Sequence, residues 1–293
     1  MKTVKGLHEK MGTFENANTS FHQAARCKRY TNEVLAFSMV KEEELLRATE
    51  EIQNLTYRQG EYKIFKVFEP KERLIMALPF YDRVVQHMIC NAIQPVFENG
   101  FYYHSYACRS GKGMHAASDT LYQWMYETEV KQGLRMYAFK GDISKYFASI
   151  PHDKLKDENR RYIGDKKALM LMDDIIDHNG ILPDGVGIPV GNLTSQLFAN
   201  VYGNKLDKFC KHVLHIPYFV RYMDDFIILS DDLEQLKEWV KRIEEFLENE
   251  MLLHINPKST ILYAGNGIDF CGYIHYADHK KVRKSSIRKL KQD

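Results

Sequence analysis

A chain of 293 residues, 44% hydrophobic and 27% charged, can bury roughly three quarters of its unfolded surface and so build a substantial core. No apolar run approaches the roughly 20 residues that cross a bilayer, and the opening MKTVKGLHEKMGTF lacks the apolar stretch of a secretory signal, so no membrane partner and a cytoplasmic setting are expected. The net charge of +2 hides an asymmetry, because the last fifteen residues carry seven Lys or Arg against one Asp: a tail for phosphate backbone, or simply a solvated terminus. Five cysteines, odd in number and without a C-x-x-C pair, suggest neither a disulfide framework nor a zinc site and are expected to be buried small apolar residues.

Residues 41–55 (KEEELLRATEEIQNL) predict an amphipathic surface helix. Tyr62 to Phe68 and Arg73 to Ala77 flank the polar turn Glu69-Pro70-Lys71-Glu72 and predict a β-hairpin with basic residues near its tip. A helix follows from about Asp82 on the spacing of Val84, Val85, Met88, Ile89, Ile93 and Phe97, with Pro95 expected to kink or end it. The loop Arg109-Ser110-Gly111-Lys112-Gly113 lacks the G-x-x-x-x-G-K-[ST] spacing of a nucleotide-phosphate loop. Beyond it a second helix runs to about Lys131, and a strand from Met136 to Ile143 carries Asp142 near its end.

Leu155 to His178 reads as helical with a break at Gly164, and a Gly/Pro-rich approach over 185–191 leads into a helix on Leu197, Phe198, Val201, Tyr202, Phe209 and Val213. Gly203 weakens that helix, and nothing in the sequence accounts for it. Tyr218 to Tyr222 and Phe226 to Leu229 form a buried hairpin with Met223-Asp224-Asp225 at its tip. Asp232 caps an amphipathic helix through Glu250, and Ile261 to Tyr263 and Phe270 to His275 are short strand candidates. His212 and His215 have no third ligand and are not read as a metal site. From Met136 onward the order strand, helices, hairpin, helix, strand defines the α+β class with a split βαβ antiparallel sheet, helices on one face and the other open to a nucleic-acid duplex.

Adjacent Asp224 and Asp225 between two apolar strands are costly to desolvate unless a divalent cation compensates them, although a bare Asp-Asp more often forms a plain polar turn. With Asp142 on a neighbouring strand, three carboxylates suffice to hold two metal ions about 3.5 to 4 Å apart, the arrangement that serves phosphoryl transfer.

The context of these acids is Lys140-Gly141-Asp142-Ile143-Ser144-Lys145-Tyr146-Phe147 and Tyr222-Met223-Asp224-Asp225, and with it the chain resembles a reverse transcriptase over roughly Phe21 to Arg288. Within that superfamily it is most similar to the enzymes of diversity-generating retroelements, relatives of the group II intron reverse transcriptases. The segments that carry this are Asp82-Arg83-Val84-Val85-Gln86, Ser105-Tyr106-Ala107-Cys108-Arg109-Ser110-Gly111-Lys112-Gly113 and Gly187-Ile188-Pro189-Val190-Gly191-Asn192-Leu193-Thr194-Ser195-Gln196.

The resemblance implies a right-hand polymerase fold with fingers, palm and a truncated or minimal thumb: an N-terminal helical segment over 1–60, fingers over 61–134, and a palm over 135–275 with an inserted fingers portion around 155–190. Residues 276–293 would begin the thumb and carry the basic tail. The implied activity is RNA-directed DNA synthesis, error-prone at template adenine, with two Mg²⁺ ions for which Mn²⁺ can substitute. Asp142 and Asp224 match the family's metal ligands and Asp225 the companion carboxylate. Arg73 and Lys71, assisted by Lys66, match the triphosphate contacts, and Phe147 the aromatic that excludes a ribose 2′ hydroxyl. Val190 stands where many relatives have a glutamine beside the incoming nucleotide. Lys258 matches a possible general acid for the leaving pyrophosphate, and Arg109, Gly272 and Tyr273 match primer and template contacts. Implied partners are template RNA, primer or cDNA, dNTPs and an oligomeric accessory variability protein. The rival expectations are a group II intron-type reverse transcriptase and maturase, a non-catalytic RNA-binding module on the same sheet, and a nucleotide cyclase palm.

Overall fold

The computed structural model describes residues 3–68 and 72–290, so the turn residue Lys71 lies outside the described residues. The chain divides into two compact units, one made of Met1–Gly100 with Phe147–Val201 and the other of Phe101–Tyr146 with Tyr202–Asp293.

The first unit opens with α1 (Leu7–Met11), α2 (Phe14–Ala24), α3 (Asn32–Met39) and α4 (Lys41–Gln53), continues through the hairpin β1 (Lys63–Val67) and β2 (Arg73–Ala77), and reaches the long α5 (Phe80–Glu98). Pro95 does not end α5, which runs on to Glu98. At this depth in the last turn the missing N–H removes one ladder bond close to an end that frays anyway. Val84, Val85, Met88, Ile89, Ile93 and Phe97 are fully buried, as their spacing required. Asp82 is buried because its carboxylate accepts from Tyr57 Oη at 2.8 Å and from the Gly60 amide at 3.1 Å. Gln86 Oε1 accepts from the Leu193 amide at 3.1 Å, and Asn192 Nδ2 donates to Tyr62 Oη at 2.9 Å, so two of the quoted segments brace each other. After α7 (Tyr146–Ser149), the helices α8 (His152–Tyr162) and α9 (Lys166–Asp177) flank Gly164, and α10 (Leu193–Lys208) begins in this unit; from Tyr202 on, with Gly203, Asp207 and the π-helical turn over Phe209–Val213, it belongs to the second. The α9 N-terminus is capped by Asp165, which accepts from the Lys167 and Ala168 amides.

The second unit contains α6 (Met114–Met125), which runs on into a π-helical turn over Tyr126–Lys131, then β3 (Tyr137–Asp142), the hairpin β4 (Tyr218–Tyr222) and β5 (Asp225–Ser230), α11 (Leu233–Glu250) and β6 (Thr260–Tyr263). These strands form one antiparallel sheet in the order β4-β5-β3-β6, the split βαβ arrangement expected from the sequence. Asp232 caps α11 as expected, accepting from the Glu234 amide at 2.9 Å and the Gln235 amide at 3.0 Å. One face of the sheet packs Ala138, Val220, Ile227 and Leu229 against Ala117, Leu121 and Met125 of α6. The other face carries the ring contacts of Phe139 and Phe219 with Phe226.

The expected open face is therefore not found along β5, where Phe226 to Ser230 are all buried, whereas Tyr137, Lys140 and Asp142 of β3, both ends of β4 and the edge strand β6 keep partial exposure. The single strand expected over Phe270 to His275 is instead a hairpin, β7 (Ile268–Phe270) and β8 (Tyr273–His275). Cys271 (φ 47°) and Gly272 (φ 82°) form its two-residue turn, a conformation that the right-handed twist of a hairpin favours. The basic tail is ordered as β9 (Lys280–Val282), paired with β8, and α12 (Lys284–Leu290). The cysteines are a further correction: Cys90 and Cys210 are buried, but Cys27 and Cys108 are exposed. Among the described residues no helix is long and apolar enough to cross a membrane.

Candidate active site

The palm sheet ends in acids because its register puts them there. Asp142, the last residue of β3, lies directly opposite Asp225, the first of β5, and Asp225 also pairs with Tyr222 across the hairpin. Asp224 and Met223 are all that separates the two strands of that hairpin, and Met223 adopts a left-handed φ of 60°. That conformation costs a residue with a Cβ on the order of 1 kcal/mol, so it persists only where surrounding bonds impose it. The Ile143 amide donates to Asp224 O at 3.2 Å, tying the turn to the strand that bears Asp142.

Asp142 is held at four points. Its carboxylate accepts from Asn256 Nδ2 at 2.5 Å, its amide donates to Ser259 Oγ at 3.0 Å, and its carbonyl accepts from the Asn256 amide at 2.7 Å and, more weakly, from Ser259 Oγ at 3.5 Å. Asn256 Oδ1 in turn accepts from the Lys258 amide at 3.1 Å, which fixes the turn on which the exposed Lys258 stands. Burial pushes the Asp225 carboxyl up to about 6; the neighbouring Asp224 and Asp142 charges add to this, and Lys140 and Arg283 oppose it. Like charges paired across a ladder are destabilising, so the sheet end carries an electrostatic cost that a cation would remove. Among the described residues no group of three His, Cys, Asp or Glu side chains is drawn together as a ready-made metal cage. The donor set still fits a hard divalent cation, because carboxylate oxygens are its preferred ligands.

Of the remaining expected residues, the second unit brings Gly272 and Tyr273 into the β7–β8 turn, with Tyr273 Oη 3.1 Å from His115 Nδ1. Arg109 braces its own loop: Nη1 donates to Tyr102 O, Ser105 O and Ser105 Oγ at 2.7 to 2.8 Å. In the first unit Arg73 is exposed at the start of β2, and Lys66 is paired with Glu72 at 2.6 Å. The Met76 amide of β2 donates to Val190 O at 3.1 Å, so Val190 lies beside the strand that carries Arg73. Phe147 is half-buried, and its carbonyl accepts from the Ile188 amide at 2.8 Å.

Sequence reasoning missed Asn256 and Ser259 as partners of Asp142, and it missed Arg221 altogether. Arg221 is fully buried in β4, where Nε and Nη2 fork onto Asp207 Oδ1 and Oδ2 at 2.6 and 2.7 Å. Burial holds the Asp207 carboxyl above its ordinary value against the opposing Arg221 charge, and the Asp207 charge and hydrogen bonds raise the guanidinium despite its burial. An arginine inside an otherwise apolar strand was the available signal, since a buried cation requires a partner.

A family model for reverse transcriptase (RNA-dependent DNA polymerase) matches residues 66–275, and the chain belongs to that family. It is similar to Protein YkfC of Escherichia coli (strain K12), with 25% identity over 251 residues that cover 70% of this chain and 62% of YkfC. It is also similar to the uncharacterized 91 kDa protein in the cob intron of Schizosaccharomyces pombe, with 29% identity over 137 residues, 45% of this chain and 16% of that protein. The chain thus spans less than two thirds of either relative. Among solved structures, apo telomerase from Candida tropicalis shares the fold, with a TM-score of 0.57 at 12% identity over 76% of this chain and 48% of that one. The family generally uses a divalent metal, Mg²⁺, for catalysis.

The raised Asp225 carboxyl has a measurable consequence for the metal-free protein. An unfolded Asp titrates near 4, so the cost of ionising Asp225 is absent below about pH 4, grows between about 4 and 6, and is fully present above that. With partial solvent screening it amounts to about 1 to 2 kcal/mol. Asp225→Asn is expected to raise the thermal midpoint in chelator at pH 8 and to leave it unchanged at pH 4. Equal shifts at both pH values would contradict this origin.

Proposed function

We propose that this chain is an RNA-directed DNA polymerase that copies RNA into cDNA, and that it is the error-prone reverse transcriptase of a diversity-generating retroelement. The polymerase reading rests on one arrangement, Asp142 facing Asp225 across β3 and β5 with Asp224 in the adjoining turn, inside the segment that matches the family. When bound, two divalent cations supply Lewis-acid neutralisation of the triphosphate and of the attacking 3′ hydroxyl. Asp142, Asp224 and Asp225 hold Mg²⁺, or Mn²⁺ in its place, and Asn256 and Ser259 keep Asp142 aimed. Arg73 with Lys71 receives the triphosphate, for which a guanidinium fork is well shaped. Phe147 excludes a ribose 2′ hydroxyl, Lys258 protonates the departing pyrophosphate, and Gly272 with Tyr273 borders the primer. Arg109 supports the template loop from within, given the bonds that occupy its guanidinium.

In this reading 1–60 is an N-terminal helical segment, 61–134 with an insert around 155–190 the fingers, 135–275 the palm, and 276–293 the start of a thumb. Template RNA, primer and dNTPs are its partners, and an oligomeric accessory variability protein completes the assembly in the cytoplasm.

The retroelement assignment draws on the Val190-Gly191-Asn192-Leu193-Thr194-Ser195-Gln196 segment. Valine cannot hydrogen-bond an incoming nucleotide as a glutamine amide would, and each 1.4 kcal/mol of lost discrimination is about tenfold in error. A second reading, a group II intron-type reverse transcriptase and maturase, is favoured by the similarity to a protein in the cob intron.

Primer extension on an RNA template with Mg²⁺ and dNTPs tests the first claim. Asp224→Asn is expected to abolish extension without lowering the thermal midpoint, because it removes a ligand charge while easing carboxylate repulsion. Activity within about tenfold of wild type would remove the assignment. Sequencing the cDNA from a mixed-base RNA template tests the second. Errors are expected chiefly opposite template adenine, with Val190→Gln changing their frequency. Errors that are uniformly rare, or spread evenly over the four bases, would favour the intron-type reading and leave the polymerase reading intact.

A further inference from the structure

Among the described residues Arg221 stands first of the largest fully buried side chains, and it sits three residues before Asp224. Side chains alternate along a strand, so Arg221 shares a face with Phe219 and, across the ladder, with Phe226. Asp225 and Asp142 belong to the opposite face, with Ile227, Leu229 and Ala138. A guanidinium on the far side of the sheet is not placed as their counter-ion. What it reaches is backbone: Nη1 donates to Met223 O at 2.8 Å, the carbonyl of the one turn residue in the left-handed region.

Two features of α10 put it there. Asp207 takes the other side of the guanidinium in a two-bond fork, which fixes both its distance and its plane. Four residues earlier on the same helix, Gly203 leaves the space that the guanidinium fills; a Cβ at that position would stand 2.6 Å from Nη1, 2.8 Å from Cζ and 2.9 Å from Tyr146 Oη. The glycine that weakens the helix is therefore a socket.

We propose that Arg221 is a positioning residue for the metal-binding carboxylates: clamped by Asp207 and seated in the Gly203 socket, it holds the Met223 carbonyl so that the strained turn presents Asp224 and Asp225 in ligating geometry. This rests on the metal-site reading above. It goes beyond a role in holding the sheet together, because a purely structural pair would contribute to stability without specifically controlling the turn.

The test uses the full chain with Gly203→Ala, which drives a methyl into the socket, and Arg221→Lys, which keeps the charge and loses the fork. Each is made alone and combined with Met223→Gly, since glycine adopts a left-handed φ without being held. Three quantities are read: the thermal midpoint, amide exchange at Ile143, whose N–H reports on Asp224 O, and Mn²⁺ binding by electron paramagnetic resonance. In whichever of the two variants folds, Ile143 exchange is expected to quicken and Mn²⁺ affinity to fall by about tenfold each, and Met223→Gly, scored against Met223→Gly alone, should recover most of both. A folded variant with exchange and affinity within about threefold of wild type, or a Met223→Gly that recovers neither, overturns the proposal. If wild type itself binds no Mn²⁺, the metal reading fails, and Ile143 exchange with its recovery still decides the role of Arg221.

Discussion

Asp142 and Asp225 stand directly opposite one another at the end of two paired strands, and Asp224 adds a third carboxylate in the turn between β4 and β5. Like charges across a ladder destabilise it, and here burial, with the Asp224 and Asp142 charges adding to it, lifts the Asp225 carboxyl to about 6. Lys140 and Arg283 relieve part of this, but Lys140 is drawn towards Asp269 at 4.0 Å and Arg283 donates to the same residue. A divalent cation at this end of the sheet would remove that cost, in keeping with the metal that the reverse transcriptase family generally uses.

The surrounding structure keeps those acids in place despite their repulsion. Asn256 and Ser259 hold Asp142 from one side through four hydrogen bonds, and the Ile143 amide ties Asp224 O to the same strand. On the other face of the sheet the Arg221–Asp207 pair grips the turn backbone. Removing one member of a buried pair leaves an uncompensated charge, so this arrangement tolerates little change. These hydrogen bonds hold the backbone and side chain of Asp142 and the turn that carries Asp224.

Much of this was readable in the amino-acid string, and the reasons differ by element. The helix with strict apolar spacing and an Asp cap, α11, formed as expected because both signals are local, and the stretch around α9 was helical as its spacing required. The hairpin bearing Asp224 and Asp225 was recognisable as two apolar runs around a polar step, although Asp225 belongs to the strand. What could not be read is non-local. Pro95 is harmless because α5 ends three residues later, the run from Phe270 to His275 folds back on itself at Cys271 and Gly272, and β5 is covered on both faces where an open one was expected. Gly203 looked like a defect until the guanidinium from β4 was found against it. The candidate site residues were named from a family pattern; Asn256 and Ser259, the partners of Asp142, and the buried Arg221 come from two separate stretches and became visible only in the fold.

The most direct test follows the Asp225 carboxyl itself by carboxyl carbon NMR, titrated in chelator and again in saturating Mg²⁺. The account predicts a midpoint near 6 without metal and a fall below the ordinary aspartate value of about 4 when the cation is bound. A midpoint near 4 in chelator that does not move on adding Mg²⁺ would contradict it.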